Sequence, residues 1–96
     1  MKFKEREIDE LKAKHGDVYE VRVGGKSCLL RRPKRAELSY AMQASKTNPL
    51  KFNEHILAAC WLAGDEEIKT DDTLFLGVSG VLDQLVQVSE AALEKL

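Results

Sequence analysis

Cysteine and histidine are scarce in this chain. Cys28 and Cys60 are its two thiols, and His15 and His55 its two imidazoles. No CxxC pair exists, and the spacing of the four side chains matches no zinc signature. Neither a metal nor a cofactor is therefore expected. The two thiols read as free, buried cysteines in a reducing compartment. No apolar run approaches the roughly 20 residues a membrane helix needs. The start, MKFKEREIDELK, is charged where a secretory leader would be apolar, so a cytoplasmic location is expected and a membrane is not. Aromatic residues make up only 6% of the chain, and none interleaves with the basic cluster at 31–35 as a stacking platform for nucleic acid would require. The formal net charge of −1 gives no whole-protein attraction to nucleic acid or an anionic surface.

The chain does have an ordinary globular core fraction, 44% hydrophobic over 96 residues, enough for one domain. Its near-neutral total hides a division. Residues 1–64 carry 13 Lys/Arg against 8 Asp/Glu, whereas residues 65–96 carry 2 against 8. Such a dipole can orient self-association or a charged partner.

Lys2 to His15 has a thin apolar stripe through Ile8 and Leu11, with Gly16 as a left-handed stop, and predicts a peripheral helix. Asp17 to Arg32 predicts a β-hairpin. VYEVRV alternates, placing Tyr19, Val21 and Val23 on one face, and KSCLLRR answers it across Gly24-Gly25, a pair suited to a primed turn. A hairpin alone is marginal in water, so helices or a further strand, from this chain or a second copy, must complete it. Gly25-Lys26-Ser27 resembles the tail of a phosphate-binding loop, but Glu20 stands where that loop needs glycine.

Pro33 ends the second strand inside a basic cluster, Arg31, Arg32, Lys34 and Arg35. Ala36 to Lys46 follows as a helix with Leu38, Ala41, Met42 and Ser45 to one side. Asn48-Pro49 opens another helix, whose core stripe through Leu50, Asn53, Ile56, Leu57, Cys60 and Trp61 predicts helix as far as Gly64. Asp65, Glu66, Glu67, Asp71 and Asp72 crowd around Lys69 without the spacing of a calcium loop. Thr70 reads as the cap of a final long helix, or two, reaching Leu96, with Gly77 and Gly80 permitting close packing or a kink. The expected fold is thus α+β: an N-terminal helix (1–16), a two-stranded hairpin (17–32) and a three- or four-helix body (33–96). No local arrangement of nucleophile and base suggests catalysis, so no catalytic residue is assigned and an enzyme is not expected.

The order of these segments carries a resemblance. A short hairpin leads into RRPKRAELSYA, then NPLKFNEHILAACWLAGDEEIKTDDTLFLGVSG, then an acidic helical tail. This is similar to the tail assembly chaperones of bacteriophages and prophages, over residues 16–90, although Lys34 stands where many of those proteins have Thr. The resemblance implies a non-enzymatic, self-associating protein that binds and solubilises a tape-measure protein in the host-cell cytoplasm. It implies partner-facing roles for the basic turn (Arg31, Arg32, Lys34, Arg35) and for the segment holding Trp61, Asp65, Glu66, Glu67, Asp71 and Asp72. Two alternatives stand beside it: a small nucleic-acid-binding or regulatory phage protein using the basic turn, and a structural component of the virion.

Overall fold

A computed structural model describes residues 3–86 and 92–96. Along the chain run α1 (Glu5–His15), β1 (Val18–Val23), β2 (Lys26–Arg31), α2 (Arg35–Ala44), α3 (Leu50–Cys60), β3 (Trp61–Gly64), α4 (Glu67–Thr70) and α5 (Asp72–Val86). The fold is α+β, as the sequence predicts, with one difference of consequence. The helix expected to reach Gly64 stops at Cys60, and Trp61–Gly64 becomes a third strand.

The hairpin forms in the expected register, with Tyr19 opposite Leu30, Val21 opposite Cys28 and Val23 opposite Lys26. Gly24 (φ 54°) and Gly25 (φ 76°) both take the positive φ of a type I′ turn. β3 then pairs antiparallel with β2, giving the sheet order β1-β2-β3. Leu29 opposes Ala63 and Leu30 opposes Trp61, so Leu62 is the extra residue of a bulge.

β2 is the centre of the molecule. Ser27, Cys28, Leu29 and Leu30 are all buried in succession, as in a strand covered on both faces. Cys28 and Leu30 join Ala41, Ile56, Leu57, Cys60, Ile68, Val78, Leu82 and Leu85 in the main core, with Tyr19, Val21 and Val23 packed against it. Leu29 lies on the opposite face by alternation and is equally buried. α1 has no buried residue and contacts β1, so it is peripheral. Lys2, the predicted first residue of that helix, lies outside the described residues.

Four further expectations change. Leu50, expected in the core stripe, is exposed in the first turn of α3. Met42 is 62% exposed because Ala41, one position earlier, faces the core. The N-terminus of α5 is capped by Asp71 and not by Thr70: Asp71 Oδ1 accepts the Leu74 N–H at 3.0 Å. At the far end residues 92–96 are not helical, and 87–91 lie outside the described residues.

Three glycines show how closely the parts approach. A Cβ built on Gly64 (φ 140°) would lie 2.5 Å from Cys28 Cα and 2.6 Å from Ser27 O, so only glycine lets β3 meet β2 there. One on Gly77 would lie 2.7 Å from Val23 Cγ2, which makes Gly77 a point of close approach of α5 to β1. Gly80 has open space. Thermal unfolding should separate these positions. Gly80→Ala should stabilise by about 0.5–1 kcal/mol through helix propensity. Gly77→Ala should destabilise by about 1–3 kcal/mol through overpacking, and Gly64→Ala by at least as much, since backbone and not a side-chain tip stands in the way.

Candidate functional site

Pro33 removes a ladder donor at the end of β2, and the chain turns into α2 with Lys34 as its N-cap. Glu37, three residues on, accepts the Lys34 backbone N–H at 2.7 Å. The same carboxylate receives Arg31 in a two-pronged pair, Nη1 at 2.9 Å and Nη2 at 2.7 Å. Arg31 Nη2 also donates to the Ala59 carbonyl at the end of α3, at 2.6 Å. One guanidinium thereby ties β2, α2 and α3 together. Hydrogen bonding from Arg31 holds the Glu37 carboxyl down at about 2.

Arg31 is consequently occupied within the fold. Arg32 is exposed but also engaged, with Asp17 at 2.8 Å and with the Tyr19 hydroxyl, which accepts its Nε–H at 3.0 Å. Lys34 and Arg35 are exposed, and among the described residues no ion pair uses either side chain. Of the four basic residues singled out in the sequence, these two are exposed and form no ion pair among the described residues, although the Lys34 charge also helps to hold the Glu37 carboxyl down.

The acidic segment is spent differently. β3 runs antiparallel to β2, so its end at Gly64 lies by Cys28, whereas the basic turn leaves from the other end of β2, by Trp61. The basic turn and the acidic turn therefore depart from opposite ends of the pairing. Asp65 closes its end: its Oδ2 accepts the Ser27 N–H at 3.0 Å, and its own N–H donates to Ser27 O at 3.0 Å. Glu67 pairs with Lys26 at 3.3 Å, Glu66 pairs with Lys69, and Asp71 caps α5. Asp72 is exposed in the first turn of α5, where its charge suits the helix dipole. Trp61 is half-buried at the edge of the core, with Lys69 Nζ 4.5 Å from its ring centroid. Both cysteines are fully buried, and burial pushes each thiol up to about 11, away from thiolate chemistry at neutral pH.

What the structure brings together next to Lys34 and Arg35 is a groove between α2 and α3. It has a volume of about 450 Å³ and is lined by Ala36, Glu37, Tyr40, His55, Ala58 and Ala59. The three alanines keep it shallow-walled, and Tyr40, 63% exposed, forms its side with an edge-on contact to His55 at 4.8 Å. Met42 and Leu50 are also exposed on these two helices. Sequence reading passed over the groove because alanines and one tyrosine on two helices carry no motif. The available signal was Tyr40, a large side chain next to the core-facing Ala41 and one turn from Ala36 and Glu37. Among the described residues no group of three or more His, Cys, Asp or Glu could hold a metal ion, and no helix is long and apolar enough to cross a membrane.

Glu37 gives this corner a pH signature. Its carboxyl is depressed from 4.5 to about 2, so its contribution is complete above pH 4.5 and is lost as the pH falls towards 2. Glu37→Gln should lower stability at neutral pH by about 2 kcal/mol, the scale of a charge-assisted hydrogen bond. Denaturant unfolding from pH 5 to 2 checks the origin: the variant should lose less stability across that window than the parent.

No protein-family profile matches the chain, and no curated protein matches it. Among solved structures it is similar to a protein from Bacillus stearothermophilus described as uncharacterised. The two share 25% sequence identity and superpose with a TM-score of 0.64, covering 91% of this chain and 98% of the other. The likeness therefore extends over nearly the whole fold.

Proposed function

We propose that this chain is a non-enzymatic protein-binding factor of the tail-assembly-chaperone kind, which holds an amphipathic helix of a tape-measure-like protein. The observation that carries the reading is the α2–α3 groove. Alanines at 36, 58 and 59 allow close approach of another helix, and Tyr40 offers a rigid aromatic wall. Aromatic and methionine side chains are favoured where a helix is received. Lys34 and Arg35, at the N-terminus of α2 and outside the groove's lining, add positive charge that would suit acidic residues flanking the bound segment.

The nucleic-acid alternative is less favoured. Arg31 and Arg32 are engaged within the fold, leaving two outward cations for phosphate contact. A structural role in the virion differs from the chaperone role in whether the protein persists, and mass spectrometry of purified particles distinguishes them.

Co-expression with the tape-measure-like protein encoded nearby tests the reading. A complex should co-purify, and Ala58→Arg, at an exposed position in the groove, should weaken it at least tenfold while leaving thermal unfolding within a few degrees of the parent. Lys34→Glu with Arg35→Glu should weaken it and remove its salt dependence. Absence of a complex, or one indifferent to Ala58→Arg, would sink the proposal.

A further inference from the structure

The two edges of the sheet are unequal. β3 is four residues long and bulged at Leu62, and such an edge accepts another strand poorly. β1 is six residues long, paired throughout without irregularity, and ends the sheet order. The two-residue turn makes Val23 and Lys26 a hydrogen-bonded pair, so Tyr19, Val21 and Val23 spend their backbone groups on β2. The N–H and C=O groups of Val18, Glu20 and Arg22 then point away from the sheet. No backbone hydrogen bond to them is present among the described residues. Beside this edge runs a mainly apolar groove of about 380 Å³ between β1 and α5, walled by Val21, Leu30, Val81 and Leu82 among others, with Glu20, Arg22 and Gln84 also in its lining.

We infer that the occupant of this edge is the β1 strand of a second copy, joined antiparallel about a two-fold axis at Val21 to make one six-stranded sheet. The charge pattern selects both the partner and the register. Only Val18, Glu20 and Arg22 can exchange backbone hydrogen bonds across the edge. Centring the axis on Glu20 would set Glu20 against Glu20 of the other copy, and centring it on Arg22 would set two arginines together. With the axis at Val21, each Glu20 faces the other copy's Arg22. Those two side chains already pair within one strand, Arg22 Nη2 to Glu20 Oε1 at 3.0 Å, and can exchange partners without moving to another face. On the core-facing side the same register sets valine 21 against its own copy and Tyr19 against Val23, pairings that stabilise antiparallel sheets. The axis runs through the sheet, so both copies keep their helices on one side, and the exposed Val81 of each α5 overlooks the seam. A two-fold interface of this kind is closed and stops at the dimer.

This surface does not include the α2–α3 groove, so dimerisation and partner binding can fail separately. Light scattering coupled to size exclusion, run on the whole chain across micromolar to millimolar concentration, reads the assembly directly. The expected mass is twice the 10.8 kDa of the chain. Arg22→Glu places like charges at both symmetric pairings and should raise the dissociation constant roughly tenfold to a hundredfold. Combining it with Glu20→Arg restores opposite charges and should restore the dimer. Amide exchange adds a residue-level reading: the Glu20 and Arg22 amides should gain protection as concentration rises. A chain that stays monomeric, an assembly indifferent to Arg22→Glu, or a double variant that fails to recover would each overturn the inference.

Discussion

β2 cannot stand at the edge of anything. Its run from Ser27 to Leu30 is buried on both faces, and a buried strand must have its backbone groups paired on both sides. β1 supplies one side through a glycine turn. The other side is supplied by four residues that interrupt a run of helices, and the rest of the fold follows from making room for them. α3 ends at Cys60 so that Trp61 can enter the sheet, and Gly64 removes the one Cβ that would collide with the backbone of Cys28. Asp65 then finishes the ladder with its side chain where the strand has run out. The helices on the core face are placed by this pairing, since α3 leads into β3 and α4 leads away from it.

The second constraint is the Arg31 guanidinium. It lies where β2, α2 and α3 converge, with its side chain only 16% exposed, and it satisfies a carboxylate and a helix-terminal carbonyl together. A charge in that position is costly unless its partners are well placed, and losing one partner leaves the other exposed to the same penalty. That occupation changes what the basic turn can do. A cluster of four cations becomes two anchors and two outward charges. The acidic segment undergoes the same conversion: its charges close a strand, cap a helix and pair with Lys26 and Lys69. Among the described residues one ion pair, Lys26 with Glu67, joins the basic half of the sequence to the acidic half.

Much of the architecture was legible in the residues themselves. Alternation in VYEVRV, the Gly24-Gly25 turn and Pro33 specify the hairpin and its end locally, because a period of two and a pair of positive φ angles need no tertiary information. The apolar spacing of Ile56, Leu57 and Cys60, and of Val78, Leu82 and Leu85, likewise marks the inward faces of α3 and α5. Trp61 to Gly64 was not legible. Four apolar residues continuing a helical stripe fit helix and strand alike, and periodicity cannot separate the two over so short a run. Met42 was misplaced for a related reason, since adjacent apolar positions at the margin of a helical face are resolved only by what packs there.

The sequence by itself therefore determined the α+β class, the hairpin register and the inward faces of the principal helices, all of which depend on contacts within a few residues. Tertiary structure alone decided that a third strand exists, that Arg31 and Asp65 are internal ties, and that Ala36, Tyr40 and Ala58 border an open groove. The physical reason is that β2 needed a second partner from about 30 residues further along the chain. The choice of that partner, and of which charges remained free afterwards, depended on the packing of α3 and α2 against the sheet.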